Sequence, residues 1–219
     1  MRRADLKLMR SSRRLAAARR KTSTVLLTGF LPFGGARVNA SEEIVRRLDG
    51  RRCAGALIVG LVLPCAFDVA ASEMKRALRT LRPSLVVALG EADRDAITPE
   101  LVAVNLNDAR IPDNRGRQPK GAAVIRGAPE SYPSRLPVAR ITGTLRSLGF
   151  PARTSSSAGT YVCNHVFFAL MHRLGRPRGG HREAGGFIHV PAVRGNARLD
   201  LARYARAILC AVRISLLHA

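Results

Sequence analysis

The spacing of apolar residues changes from segment to segment along this chain, and two spacings alternate. Short runs of leucine and β-branched residues predict buried strands, and such runs occupy 24–30, 56–64, 84–90, 101–106 and 185–191, with a weaker candidate at 151–157. Apolar residues three or four positions apart predict helices, and this spacing occurs over 39–50, 68–81, 137–149, 162–175 and 197–217. The stretch from 108 to 137 is predicted to be mostly loop.

Strands that alternate with helices predict the α/β fold class, with a mostly parallel sheet that helices cover on both faces. The 219 residues suffice for one sizeable domain, which we expect over 24–219. Ligands of such sheets bind beyond the carboxyl ends of the strands. Phe30, Gly90 and His189 lie at such ends. That edge of the sheet is therefore where we expect the functional site.

The chain is strongly basic, with 37 Lys and Arg against 15 Asp and Glu and a formal net charge of +22. Such a charge is typical of proteins that bind nucleic acid or anionic membranes. Here the basic runs are short and lack interleaved aromatic residues, so an arginine-rich composition is favoured over nucleic-acid binding. Residues 1–23 are predicted to be a basic, poorly ordered extension. No apolar run is long enough to predict a membrane helix, so we expect no membrane partner.

Four cysteines are spread along the chain, at Cys53, Cys65, Cys163 and Cys210. They form no CxxC pair, and their gaps do not resemble those of a zinc site, so we expect no metal. Nucleotide-binding glycine motifs are missing as well, and we expect no cofactor. Free thiols without a secretory signal pattern favour a cytoplasmic protein.

Cys163 stands at the start of the predicted helix 162–175, directly after the turn-forming residues SSSAGT. The unpaired N–H groups and the positive dipole of a helix start favour a thiolate. We therefore expect the pKa of Cys163 to lie below that of a free thiol, as a nucleophile requires. A buried thiol that only fills space is the alternative on position alone.

A thiol nucleophile needs a base and a group that orients the base. His165 follows Cys163 by two residues, which places it on the opposite side of a helix. His189 ends the apolar strand GGFIHVP, at the edge where a ligand is expected, although a half-buried strand histidine is an equal alternative. Glu100 directly precedes the predicted strand 101–106 and is the candidate orienting acid, although a solvated carboxylate is the commoner case.

Four long motifs occur in one order, and together they resemble the pyroglutamyl-peptidase I family, also called pyrrolidone-carboxylate peptidases. They are VLLTGFLPFGGARVNASEEIVRRL (25–48), ITPELVAVNLNDARIPDNRGRQP (97–119), SAGTYVCNHVFFALMH (157–172) and GGFIHVP (185–191). The resemblance implies a single-domain, three-layer α/β/α sandwich with a twisted sheet. It implies a cysteine peptidase that removes N-terminal pyroglutamate from peptides without metal or cofactor, and a homo-oligomer, dimer or tetramer.

The resemblance also assigns residues. Its motifs imply that Cys163 is the nucleophile, His189 the base and Glu100 the third member of the triad. They further imply that Phe30 and Phe33 line the lactam pocket and that Val162 contacts the ring. Asn39 is implied to hold the pocket loop, and Glu91 lies on a loop that meets the substrate in the family.

One segment departs from the family pattern. GEADRD (90–95) stands where the family usually has GQAGGR, and it is one residue shorter if Arg94 takes the place of the family's arginine. Glu91 adds a negative charge where glutamine or an apolar residue is common. A diverged member with lost or altered specificity is therefore the alternative function.

Overall fold

The computed structural model describes residues 23–175, 183–193 and 197–218. The predicted basic extension at 1–23 lies outside these residues, apart from Ser23. The strands are β1 Thr24–Phe30, β2 Arg52–Cys53, β3 Ala56–Leu63, β4 Leu85–Ala92, β5 Thr98–Pro99, β6 Val102–Val104, β7 Ser131–Pro133 and β8 Ala184–Pro191. The helices are α1 Ala40–Leu48, α2 Phe67–Leu81, α3 Val138–Ser147, α4 Val162–Leu174 and α5 Ala197–Leu217.

The main sheet has six strands in the order β2-β3-β1-β4-β8-β5. The four central strands, β3, β1, β4 and β8, run parallel, while the two-residue edge strands β2 and β5 are antiparallel to their neighbours. Parallel strands need crossover connections, and the intervening helices supply them. The predicted α/β class with a mostly parallel sheet is confirmed.

Helices cover both faces of this sheet and bury its alternate side chains. On one face, Val25, Leu27 and Val87 pack with α1, α3 and α5. On the other, Leu26 and Val86 pack with α2 and α4. Residues that alternate along a strand point to opposite faces, so strands buried on both faces are apolar at most positions. The three-layer α/β/α sandwich is thereby established.

Two predicted strands are wrong in extent or partner. The segment 101–106 forms only β6, which pairs with β7 in a separate two-stranded sheet outside the main one. The segment 151–157 forms no strand, only isolated bridges from Ala152 to Ile97 and from Ser155 to Glu100. Both segments contain few β-branched residues, and their pairing partners are distant in sequence, so local pattern could not place them.

Helix bounds agree with the predicted ones to within a few residues. Asn39 caps α1, because its Oδ1 accepts the N–H of Ser41 at 2.9 Å. Within the described part of the chain, no helix is both long enough and apolar enough to cross a membrane.

Candidate active site

The parallel strands β1 and β4 separate at their carboxyl ends. Their pairing stops at Thr28 and Ala88, although β1 continues to Phe30 and β4 to Ala92. The order in which strands are added to the sheet also changes side here, because β3 lies on one side of β1 while β4 and β8 lie on the other. Such a switch point is where open α/β sheets bind ligands.

Helix α4 brings Cys163 to this crevice. Cys163 is the second residue of α4, and Tyr161 precedes the helix in an extended conformation. A Cβ built on Gly90 of β4 would lie 2.7 Å from Cys163 Sγ and 2.8 Å from Cζ of Phe187. The thiol therefore rests directly on the backbone of Gly90, and a larger residue there would displace it.

His189 and Glu100 lie next to that thiol. His189 on β8 is the register partner of Gly90 on β4, and neighbouring strands are about 4.8 Å apart. Its Nδ1 lies 2.7 Å from Oε1 of Glu100. Both side chains are buried, with Glu100 completely inaccessible and His189 only 3% exposed. Three groups far apart in sequence thus meet at one end of the sheet.

A short antiparallel strand explains how Glu100 reaches His189. In β5, Thr98 is paired with His189 and Pro99 with Ile188. The N–H of Glu100 then donates to the carbonyl of Phe187 at 2.9 Å. The two-residue edge strand turns the carboxylate back over the sheet, which is a tertiary pairing that the sequence pattern alone did not indicate.

The electrostatics of the thiol differ from the predicted ones. Burial raises the pKa of Cys163, the charges of Cys65 and Glu100 raise it further, and Arg94 and the backbone N–H lower it. The expected pKa below that of a free thiol is therefore wrong, because desolvation outweighs the helix start. Burial also lowers the pKa of His189 despite the opposing effect of Glu100. Both shifts favour the neutral forms of the thiol and the imidazole.

Aromatic side chains pack around His189 and the start of α4. Phe30 at the end of β1 contacts Phe187, with ring centroids 6.5 Å apart, and Phe187 in turn packs on His189 at 4.9 Å. Phe33 is half-buried and packs on Tyr161 at 5.8 Å. The phenylalanines singled out by the sequence therefore lie near His189 and near the start of α4.

The remaining predicted contact residues surround the crevice in different ways. Asn39 is buried and points Nδ2 at the carbonyl of Leu31 at 3.5 Å, which ties the start of α1 to the loop after β1. Glu91 accepts the N–H of Ala40 through Oε2 at 2.6 Å, so its side chain caps α1. Val162 is completely buried in the apolar core beside Cys163.

Two further polar residues were not assigned a role from the sequence. Asn164 is completely buried and bonds the backbone of β6, accepting from Val104 N–H at 3.0 Å and donating to its carbonyl at 2.8 Å. Arg94 donates to Oε1 of Glu100 at 2.9 Å. An asparagine in the first turn of an apolar helix and a lone arginine after a buried strand are weak signals, because both are common at the surface.

The other histidine and cysteines near the thiol belong to the packing. His165 bonds Asn107 at 3.1 Å and packs edge-on against Phe67, so it is no partner of Cys163, as the helical spacing predicted. Burial raises the pKa of Cys65 to about 12. Among the residues that the structure describes, no three His, Cys, Asp or Glu side chains group as metal ligands would.

Comparison with known proteins agrees with this geometry. A family model described as pyroglutamyl peptidase matches residues 23–213. The chain is 47% identical to the pyrrolidone-carboxylate peptidase of Chromobacterium violaceum over 201 residues, covering 88% of this chain and 92% of that protein. It is 49% identical to that of Cupriavidus taiwanensis over 170 residues, covering 77% and 78%.

The chain belongs to the pyroglutamyl peptidase family. Solved structures of the family share its fold. The pyroglutamyl peptidase I of Bacillus amyloliquefaciens superposes with a TM-score of 0.83 at 40% identity, covering 90% of this chain and 98% of the other. The pyrrolidone carboxyl peptidase of Thermococcus litoralis gives 0.83 at 41% identity, covering 90% and 94%. The resemblance inferred from the four sequence motifs is confirmed.

Proposed function

We propose that this chain removes N-terminal pyroglutamyl residues from peptides, with Cys163 as nucleophile, His189 as general base and acid, and Glu100 as the group that orients His189. The observation that carries the proposal is the convergence of a thiol at a helix start, a buried imidazole and a buried carboxylate at the switch point of the sheet. Membership of the pyroglutamyl peptidase family supports the same reaction.

Because the pKa shifts favour a neutral thiol and a neutral imidazole, we propose the following order of proton transfers. As Cys163 Sγ attacks the carbonyl carbon that joins pyroglutamate to the next residue, His189 takes the thiol proton. The C–N bond then breaks, and His189 gives the proton to the leaving amine. Water attacks the resulting thioester, loses a proton to His189 and releases pyroglutamate, while the thiol recovers its proton.

Glu100 makes the imidazole a base of defined orientation. Its Oε1 at 2.7 Å from Nδ1 favours the tautomer with the proton on Nδ1 and leaves Nε2 to act on the thiol. The negative charge also stabilises the imidazolium that forms during attack. We propose the backbone N–H of Cys163, at the positive end of α4, as a donor to the developing oxyanion.

The crevice suits a neutral five-membered lactam. The two faces of the lactam ring are apolar, and Phe30 and Phe33 offer apolar contacts to them. Val162 lies beside the nucleophile. The ring edge carries one N–H and one carbonyl, and the separated ends of β1 and β4 offer backbone groups to them. Asn39 and Glu91 shape the pocket by holding the loop after β1 and the start of α1.

This pocket predicts strong discrimination against proline. Prolyl substrates lack the ring carbonyl, so a site that hydrogen-bonds it is left with an unpaired buried donor. Such a mismatch costs about 10⁴-fold in kcat/KM. Equal cleavage of prolyl and pyroglutamyl amides would contradict the lactam pocket.

The test is release of a chromophore from a pyroglutamyl amide by the purified protein. We expect activity in the wild type and a loss of at least about 1,000-fold in Cys163→Ala. Cys210→Ala is the matched control, because this half-buried thiol lies on α5, in the apolar cluster on the other face of the sheet. Activity retained by Cys163→Ala would overturn the assignment of Cys163 as the nucleophile. A folded but inactive wild type would favour the alternative of a diverged family member.

Three further expectations complete the proposal. We propose that the protein works in the cytoplasm, which its four free cysteines support, and that it forms a homodimer or homotetramer, which light scattering would test. Nucleic-acid binding is the rival class raised by the net charge of +22. It predicts affinity that falls steeply with salt and survives Cys163→Ala.

A further inference from the structure

We propose that Arg94 is a positioning residue of this active site, which fixes the Glu100 carboxylate against His189 and ties it to the segment that leads to Cys163. The inference rests on the proposed function, since it assigns a role within that reaction. Arg94 lies in the connection between β4 and β5, and it contacts neither Cys163 nor His189 by a hydrogen bond among the described residues.

The first step of the argument is the unequal use of the two Glu100 oxygens. Oε1 accepts both from His189 Nδ1, at 2.7 Å, and from Arg94 Nη1, at 2.9 Å. Oε2 is buried and has no hydrogen-bond partner in the described part of the chain. With His189 alone, either oxygen could serve after rotation of the carboxylate. The second donor, Arg94, makes Oε1 the bonded oxygen.

The second step is the cost of the buried charge. Glu100 is completely inaccessible, and Arg94 is its charged partner at 23% side-chain exposure. A buried carboxylate that loses its cation is strongly destabilised, and the hydrogen bond to His189 alone leaves it free to rotate. Such rotation would misplace the acceptor that holds the tautomer of His189.

The third step is the link to the nucleophile. Arg94 Nη1 also donates to Thr98 Oγ1 at 2.6 Å, and Nη2 donates to the carbonyl of Ser157 at 2.9 Å. Ser157 belongs to the segment that enters α4, while Thr98 pairs with His189 in the sheet. One planar guanidinium therefore joins Glu100 and the adjoining strand β5 to the segment before Cys163, a geometry that a lysine ammonium cannot reproduce.

The charge of Arg94 acts on the same groups. Burial is the main cause of the lowered pKa of His189, Glu100 opposes it, and Arg94 lowers it further. These two residues, with the Cys163 thiol of α4, are the titratable groups that face His189 in the described structure. Removal of Arg94 leaves the Glu100 charge uncompensated, so we expect the pKa of His189 to rise.

The experiment compares Arg94→Gln and Arg94→Lys with the wild type and with Arg153→Gln. Arg153 is the matched control, because it pairs with exposed Asp95 in the same connection at 2.5 Å and touches no member of the triad. The readouts are kcat and KM for a pyroglutamyl amide as a function of pH, and an NMR titration of ¹³C-labelled histidine with His189 assigned through His189→Gln.

Arg94→Gln is expected to lower kcat about 10- to 100-fold with little change in KM, because the base is misplaced. Both the acid limb of kcat/KM and the His189 titration should move upward in pH. Arg94→Lys keeps the positive charge but loses the forked guanidinium that bonds Glu100, Thr98 and Ser157 together. It should therefore lower kcat without moving the titration of His189. Arg153→Gln should change neither quantity.

Other outcomes overturn the inference. If Arg94→Gln keeps the wild-type kcat and titration, or if Arg153→Gln loses as much kcat with no pH shift in either variant, Arg94 only braces the loop. If Arg94→Gln fails to fold, an unchanged kcat in Arg94→Lys refutes the role of the fork. A folded wild type that cleaves no pyroglutamyl amide refutes the proposed function, while the NMR titration still decides whether Arg94 controls His189.

Discussion

Gly90→Ala is the substitution that most directly tests the position of Cys163, the proposed nucleophile. The added Cβ would lie 2.7 Å from Cys163 Sγ and 2.8 Å and 3.0 Å from ring atoms of Phe187. Nonbonded atoms of this size rest at about 3.5–4.0 Å, so the overlap is about 1 Å on two sides. Neither neighbour is a flexible chain end, and the thiol must therefore move.

The expected effect on activity is larger than the effect on stability. Displacement of a reacting atom by about 1 Å costs about 100-fold in rate, whereas overpacking one methyl group costs about 1–3 kcal/mol of unfolding free energy. For a domain of this size, each kcal/mol lowers Tm by about 2–4 °C. We therefore expect a folded protein with kcat/KM reduced about 100-fold.

Two other glycine variants separate displacement of the thiol from the added methyl group itself and from general overpacking. Gly143→Ala places the same methyl group in open space on α3 and should be neutral or stabilise by up to about 1 kcal/mol. Gly185→Ala meets Leu174 at 2.8 Å at the far end of β8, so it should destabilise without touching the thiol. The assay is kcat/KM for a pyroglutamyl amide beside a thermal melt. Wild-type kcat/KM in folded Gly90→Ala would refute the placement of Cys163.

Three other substitutions and the pH profile give further tests. Asn164→Ala should cost about 2–4 kcal/mol by urea unfolding, because it removes the side chain that bonds the N–H and carbonyl of Val104 and the carbonyl of Leu106; a loss below about 0.5 kcal/mol would contradict that bonding. Asn39→Ala should cost about 1 kcal/mol through the lost cap of α1 and raise KM, whereas an unchanged KM would separate Asn39 from the pocket. Burial and nearby cations lower the pKa of His165 to about 4, below its ordinary 6.5, so stability present above pH 6.5 is lost as pH falls toward 4. That loss is about 3 kcal/mol, and urea unfolding of His165→Gln at pH 7 and pH 4 should show a correspondingly smaller loss than the wild type. Because burial also lowers the pKa of His189, the acid limb of wild-type kcat/KM should lie below pH 6.5; a limb above 6.5 would contradict the neutral base.

Local pattern was sufficient for the parts of the fold that are long and apolar on both faces. The four central strands and the five helices of the described residues follow from the spacing of apolar residues. In the central strands, burial on both faces leaves little room for polar positions. The short edge strands β2 and β5 and the hairpin of β6 and β7 were missed or misassigned. Strands of two or three residues are too short to show an alternation of apolar and polar residues, and their pairing partners lie elsewhere in the chain.

Residue chemistry and motifs alone singled out Cys163, His189 and Glu100, while their meeting was decided by tertiary structure. The register of β4 and β8 sets His189 beside Gly90, and β5 turns Glu100 back onto His189. The sequence also indicated the wrong direction for the pKa of Cys163. A helix start is visible in sequence, but the desolvation that outweighs it depends on how many atoms surround the thiol.

The sequence by itself determined the class of fold and the family of the chain, and it indicated the edge of the sheet where we propose the chemistry. Only the tertiary structure decided which oxygen of Glu100 is used, that Arg94 supports it, and that Glu91 caps α1. The spacing of apolar residues indicates which face of each helix or strand is buried. Hydrogen bonds between segments that lie far apart in the chain depend on distances that no local pattern contains.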